Sequence, residues 1–230
     1  MGAFSIYNIH MNIGNILIIF IIIIISMVLH ELAHGYVAYW LGDDTAKDEG
    51  RLSLNPLVHL DPVMSVIMPL LLFISGAPVF GGAKPVPVNT KNLKGGAWGM
   101  ALVALAGPLT NFILAFVGVV IGRLTGCLIM ESGSIMYTTQ NIWGFVLSQF
   151  VFANLGFALF NLIPIPPLDG SRVLYAIAPD RVRDLLEALE TTLGIVIVLV
   201  LVMFFSTALS TYLMTTMNAV AHFFFTLTGA

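Results

Sequence analysis

Four long runs of apolar residues limit what this chain can fold into more than any other feature of the sequence. They cover Ile13 to Leu29, Ala97 to Ile121, Ile142 to Ile163 and Leu193 to Leu209. A helix needs roughly 20 consecutive apolar residues to cross the hydrocarbon core of a bilayer. Only 9% of the 230 residues are charged, whereas about a quarter are charged in an ordinary soluble domain. We therefore expect an all-α integral membrane protein that folds as a polytopic helical bundle.

The whole chain, residues 1–230, is interpreted as a single membrane-embedded domain, because no linker, charge run or internal repeat divides it. The first apolar run is too long for a signal peptide and lacks a basic start, so we expect a retained helix that ends near Leu41. The net charge of −3 offers no basic face, which excludes nucleic acid as a partner and leaves the lipid bilayer as the surroundings. The single Cys127 excludes an internal disulfide and a zinc site made of several thiolates.

The segment after the first helix predicts two local structures. Residues 51–62, RLSLNPLVHLDP, alternate between polar and apolar side chains and contain the breakers Pro56 and Pro62, which indicates a short β-hairpin or small sheet. The next apolar stretch, Pro62 to Ile74, is interrupted at Pro69 and is too short for a comfortable crossing. We expect it to be a re-entrant or shallow segment.

The positive charges predict the orientation of the helices. If the chain from Pro62 to Gly96 returns to its side of origin, only Arg123 falls on the opposite side from the other basic residues. Those are Lys47, Arg51, Lys84, Lys91, Lys94, Arg172, Arg181 and Arg183. Basic residues accumulate on the cytoplasmic side of membrane proteins. We therefore expect a multi-pass protein of the cell membrane with its N-terminus outside.

The sequence HELAH at residues 30–34 points to a metal site. His30 and His34 are four residues apart, so both imidazoles project from one helix face and can reach one zinc ion. Glu31 lies on an adjoining face. The helix continues for about 16 Å from His30 to Leu41. The sequence therefore predicts a site within the membrane, nearer the cytoplasmic face.

A catalytic zinc ion normally takes three protein ligands and leaves one position for water, so a third ligand is required. Asp169 in NLIPIPPLDG is the best candidate, because the prolines break the preceding helix at the depth expected for HELAH. Gly170 relieves crowding beside it. A competing interpretation makes Asp169 the N-cap of a helix that begins near Ser171.

Three motifs in this order, HELAH, AGPLTN at 106–111 and NLIPIPPLDG at 161–170, resemble the site-2 protease family of intramembrane zinc metalloproteases, peptidase family M50. GRLSLNPLVHLDP at 50–62 and AKPVPVN at 83–89 are similar to its short bacterial and archaeal members, without a PDZ or CBS module. The resemblance spans about Leu29 to Tyr175. It departs from the pattern at Met64, where short members often carry glycine.

The resemblance implies one zinc ion per chain, held by His30, His34 and Asp169. It implies that Glu31 is the general base. The implied substrates are transmembrane proteins or peptides, whose bonds are cut within or near their membrane segments.

Other polar and loop residues have weaker signals. Asn161 could stabilise an oxyanion, and Asn111 could contact substrate, although both amides could instead satisfy carbonyls that the prolines leave without a donor. Leu52 and Leu54 lie on the expected strand edge, which could pair with an extended substrate. His59 is interpreted as part of a turn.

Two alternative functions share the His30 and His34 pair. A membrane metalloprotease that cuts soluble segments would recruit a glutamate as its third ligand. A membrane protein that binds or transports metal without proteolysis would not depend on Glu31 for its function.

Overall fold

The computed structural model describes residues 13–62, 67, 82–131, 134–137 and 142–229, and the fold is given for these residues. The helices are α1 (Ile13–Trp40), α2 (Thr45–Asp48), a 3-10 helix (Pro56–His59), α3 (Gly96–Leu124), α4 (Ile142–Asn161), α5 (Asp169–Ile177), α6 (Asp180–Phe204) and α7 (Ser206–Leu227). Strands β1 (Leu128–Glu131) and β2 (Ser134–Tyr137) form an antiparallel pair.

The expected all-α polytopic membrane fold is confirmed. Helices α1, α3 and α4 are each long and apolar enough to cross a membrane, and the bent pair α6 and α7 can supply a fourth crossing. Helix α3 is central, because it packs against α1, α4 and α5. Small buried residues such as Gly118 and Ala115 allow this close approach.

The core lies where α3, α4 and α7 meet β1. Val119, Leu128, Val151 and Leu155 are almost completely buried there and pack into one cluster. The neighbouring face of α3 remains for α1 and α5, and this arrangement positions the candidate site.

The expectation of a strand or hairpin within residues 51–62 is wrong, because this segment is an irregular loop followed by the 3-10 helix. Pro56 begins that helix, and the Asn55 side chain accepts a hydrogen bond from the Leu57 N–H at 3.1 Å. Such local side-chain bonds compete with strand pairing. The short hairpin of this fold is β1–β2, on the connection between α3 and α4.

Two further expectations about helices differ from the structure. Helix α3 runs unbroken through Pro108, although a proline inside a helix is expected to kink or break it. The apolar run Leu193 to Leu209 is not one helix, since α6 and α7 meet at Phe205 with a bend of 84°.

The expectation for Pro62 to Ile74 lies outside the described residues, apart from Pro62 and Ile67. The described chain on either side of it is joined by hydrogen bonds. The Lys84 N–H donates to the His59 carbonyl at 2.8 Å, and the Asn89 N–H donates to the Asp43 carboxylate at 2.6 Å. Both loops therefore lie at the same end of α1.

Candidate metal centre

His30 and His34 lie one turn apart on α1, and both are buried. Their Nε2 atoms are 3.0 Å apart, and the two rings are nearly perpendicular, at 87°. This is the arrangement that the four-residue spacing predicted. Both imidazoles therefore present one nitrogen to the same point beside the helix.

Asp169, the first residue of α5, reaches the same point. Its Oδ2 atom lies 3.2 Å from His30 Nε2 and 3.4 Å from His34 Nε2. The competing N-cap interpretation does not hold, because α5 begins at Asp169 itself and its N-cap, Leu168, makes no side-chain capping bond. The structure thus brings together the three residues that the sequence suggested as ligands.

Gly170 allows Asp169 to reach this position. A Cβ atom on Gly170 would collide with the carbonyl group of Leu162 at the end of α4 and would lie 2.7 Å from the Ile163 oxygen. Since glycine lacks this atom, α5 can start directly against the end of α4. The prolines between the two helices, among them Pro164, stop α4 and let the chain turn.

The three atoms fit a zinc ion. A tetrahedral ion with nitrogen and oxygen ligands at about 2.0–2.1 Å separates its ligands by about 3.3 Å, and the observed separations are 3.0, 3.2 and 3.4 Å. Asp169 Oδ2 is buried and has no hydrogen-bond partner among the described residues. A buried carboxylate oxygen that faces two imidazole nitrogens is suited to a shared cation.

Two contacts from α3 orient the imidazoles. His34 Nδ1 lies 2.7 Å from the Val103 carbonyl oxygen. His30 Nδ1 lies 2.6 Å from Asn111 Oδ1. Histidines that bind metal commonly donate their second N–H to such oxygens, which directs the lone pair of the other nitrogen to the metal. Asn111 is completely buried and faces His30, and its contact with substrate stays a prediction.

Gly107 is a residue of the site that sequence reasoning missed. A Cβ atom at this position would lie 2.5 Å from His34 Nε2 and 2.6 Å from His30 Nε2. Only glycine lets α3 approach the imidazoles this closely. The signal in the sequence was its position four residues before Asn111, which places both residues on one face of α3.

Glu31 lies beside the histidines on the adjoining face of α1. His30, Glu31 and His34 offer ligand atoms that are all within 4.8 Å of one another. The Glu31 carboxylate accepts a hydrogen bond from the Val86 N–H at 2.9 Å. Val86 stands between Pro85 and Pro87, which carry no N–H. Residues 85–87 therefore offer a single N–H donor to the carboxylate.

Asn161 is not bonded to the site. It ends α4, and its amide nitrogen donates to the Phe157 carbonyl of the same helix at 2.9 Å. His59 is buried, and its Nε2 lies 2.8 Å from the Ser53 carbonyl. This contact agrees with the interpretation of His59 as part of a turn.

Leu52 and Leu54 lie on the loop that passes α1. Leu52 packs over Gly35, where a Cβ atom would be 2.5 Å from it. Leu54 is 71% exposed and lines an apolar groove of about 590 Å³ between α1 and α3. Its other lining residues are Leu29, Leu32, Ala33, Tyr36, Val37, Trp40, Ala106 and Thr110. Ala33 and Ala106 directly precede His34 and Gly107, so the groove borders the site.

Comparison with known proteins is consistent with this geometry. The model of Peptidase family M50 matches residues 123–205. The chain is 41% identical over 194 residues to the "Putative zinc metalloprotease YwhC" of Bacillus subtilis (strain 168), covering 84% of this chain and 82% of that protein. It is 30% identical over 189 residues to "Putative zinc metalloprotease Rip2" of Mycolicibacterium smegmatis, covering 80% and 68%. No solved structure matches the chain. The extent of these similarities shows that the chain belongs to peptidase family M50.

Proposed function

We propose that this protein is an intramembrane zinc metalloprotease that hydrolyses peptide bonds within or near the transmembrane segments of membrane proteins. The convergence of Asp169 on the Nε2 atoms of His30 and His34, with Glu31 beside them, carries this proposal. The ligands His30, His34 and Asp169 leave the fourth position of a tetrahedral ion for water or substrate. When bound, one zinc ion per chain supplies Lewis acidity to the scissile carbonyl and lowers the pKa of water to about 7.

Glu31 serves as the general base in this proposal. Its carboxylate is close enough to the imidazoles to accept a proton from a water molecule in the site and to return it to the leaving amine. The Val86 N–H holds one carboxylate oxygen and so fixes the orientation of the side chain. The amide nitrogen of Asn161 donates one hydrogen to the Phe157 carbonyl, and its second hydrogen is the one that would serve an oxyanion.

Exposed tryptophans support the proposed depth of the site in the membrane. Trp40 ends α1 and is 72% exposed, and Trp98, near the start of α3, is 60% exposed. Tryptophans at such positions mark the membrane interface. His30 is ten residues from Trp40, or about 15 Å along the helix, which is half of a hydrocarbon core of about 30 Å. The interface at Trp40, from which this distance is measured, is the cytoplasmic one if the basic loops are cytoplasmic.

The apolar groove beside the site is the proposed place for the substrate. A transmembrane helix hides its peptide groups in its own hydrogen bonds, so a cut segment must unwind before its carbonyl reaches a catalytic site. Leu54, Leu32 and Tyr36 would receive the apolar side chains next to the scissile bond. The groove extends along α1 from Trp40 to Leu29, which suits an extended segment that enters from lipid and passes the site.

The test uses the full chain in detergent. Purified protein is assayed for zinc by mass spectrometry and incubated with a mixture of solubilised single-span membrane proteins, in which new N-termini are identified. We expect one zinc per chain and cuts within or near the spans. Glu31→Gln should keep zinc and lose cleavage, whereas Glu49→Gln, an exposed glutamate outside the site, should keep both. Cleavage by Glu31→Gln at the wild-type rate would exclude the proposed mechanism.

A further inference from the structure

A chain of hydrogen bonds leads from His30 through α3 to the side of α4 that faces α1 and α3. Asn111 on α3 contacts His30 at 2.6 Å and donates from Nδ2 to Asn154 Oδ1 at 2.7 Å. Asn154 on α4 donates from Nδ2 to the Phe150 carbonyl at 2.8 Å and to the Ser26 hydroxyl at 3.0 Å. Ser26, Asn111 and Asn154 are all completely buried. Three spanning helices therefore share one polar path through an apolar bundle.

Backbone carbonyls fix the direction of this path. The Phe150 oxygen can only accept, so the atom of Asn154 that faces it must be the NH2 group and Oδ1 must face Asn111. Asn111 must then donate to that oxygen, and it also donates to the Ser26 carbonyl at 3.4 Å. The remaining atom of Asn111, Oδ1, faces His30 as an acceptor. His30 Nδ1 must therefore carry a proton.

The consequence reaches the metal centre. When Nδ1 is the donor, the lone pair of neutral His30 lies on Nε2, the atom that faces Asp169 and His34. His34 requires no such path, because its Nδ1 faces the Val103 carbonyl directly. The two ligands thus reach the same tautomer by different means, and only His30 depends on side chains of two other helices.

We propose that Asn154 is a positioning residue of the metal site, which acts through Asn111 to hold His30 in its metal-binding tautomer. This inference rests on the proposed zinc site. Without Asn154, the Asn111 amide keeps only the longer bond to the Ser26 carbonyl, and a fraction of the molecules can turn the amide and present its NH2 group to His30. The lone pair of His30 in those molecules lies on Nδ1, away from the metal.

The expected loss of zinc affinity is graded along the path. Loss of a group that contacts a metal ligand typically lowers metal affinity by about 10- to 100-fold. We expect a loss in this range for Asn111→Leu and a smaller one, about 3- to 10-fold, for Asn154→Leu, which acts one residue further away. Ser26→Ala should bind zinc within about twofold of wild type, because both backbone carbonyls that set the direction remain.

The experiment measures zinc affinity by chelator competition for these three variants and for Val151→Ala. Val151 is completely buried on α4 in the apolar core, so this variant controls for lost packing. Metal-free protein with 15N-labelled histidine is examined by NMR. The wild type should show His30 with a protonated Nδ1, and Asn154→Leu should add a signal with an unprotonated Nδ1 while His34 stays unchanged.

Asn154→Leu with the zinc affinity of Val151→Ala and an unchanged histidine spectrum would overturn the inference and leave the zinc site intact. A wild-type chain that binds no zinc would overturn the proposed function instead. If Asn154→Leu does not fold, Asn154→Gln gives the same test, because the added methylene moves the amide from its partners. Its affinity should fall in the same range, and wild-type affinity would contradict the proposal.

Discussion

Replacement of Gly107 by alanine is the most direct test of how the metal centre is built. The new Cβ atom would lie 2.5 Å from His34 Nε2 and 2.6 Å from His30 Nε2, whereas ordinary contacts begin at 3.4 Å. The rings would have to retreat by about 0.9 Å, while metal–ligand distances tolerate changes of about 0.2 Å. Forced over-packing costs about 1–3 kcal/mol. At 1.4 kcal/mol per tenfold change, zinc affinity should fall by about 5- to 150-fold.

The assay is zinc affinity by chelator competition, together with thermal unfolding of the metal-free protein. Gly118→Ala is the matched control, because it also over-packs α3, with a Cβ atom 2.9 Å from Val151 Cγ2, but lies eleven residues from Gly107. Both variants should lose some thermal stability, and only Gly107→Ala should lose zinc. Equal zinc affinity in the two variants would refute the argument that bare backbone at Gly107 is what lets the imidazoles meet a metal.

Three further outcomes follow from contacts at the site and in its loops. Asp169→Ala should abolish stoichiometric zinc binding, measured by metal analysis. The control Asp180→Ala, at the exposed start of α6, should still bind zinc. Zinc retained by Asp169→Ala would favour a glutamate ligand. Leu54→Asp should raise KM for cleavage with zinc content unchanged, whereas Leu57→Asp, equally exposed but outside the groove, should not. Burial opposes ionisation of Asp43, but hydrogen bonds from Thr45, Asn89 and Asn92 hold its pKa below the ordinary 3.8. A lowered pKa stabilises the fold above that value, and this contribution is lost as the pH falls through the folded pKa. Metal-free Asp43→Asn should therefore melt below wild type at pH 7, and the gap should narrow as the pH falls below 3.8 through the folded pKa.

The crossing helices could be predicted because their signal is local. The first helix was expected to end near Leu41, and the third apolar run ends just before Pro164. The structure ends these helices at Trp40 and Asn161, within a few residues of both positions. The bend between α6 and α7 could not be predicted in this way, since residues 203–207 contain neither proline nor glycine and read as a continuous apolar helix. The alternation in residues 51–55 was misleading because the Asn55 side chain satisfies the next turn locally.

The candidate ligands were predictable for a similar reason. His30 and His34 share a face through their spacing alone, and the prolines before Asp169 mark a helix end where a carboxylate can turn inward. The contacts of the Nδ1 atoms of His30 and His34 depend instead on how α3 packs against α1. A backbone carbonyl such as that of Val103 has no signature in residue type, and Asn154 lies outside the three sequence motifs.

The polar groups of the site explain why it can exist at membrane depth. In lipid, each unsatisfied polar group costs several kcal/mol, so the site must satisfy its own donors and acceptors. Val103, Gly107 and Asn111 recur every four residues on α3, and they present to α1 a carbonyl, a bare backbone and an amide in turn. The Val103 carbonyl contacts Nδ1 of His34, and the Asn111 amide contacts Nδ1 of His30. The bare backbone of Gly107 leaves room for both Nε2 atoms. These Nε2 atoms face Asp169 Oδ2, which has no hydrogen-bond partner among the described residues. A divalent cation would satisfy all three of these atoms at once, and this links the packing of α3 to the proposed chemistry.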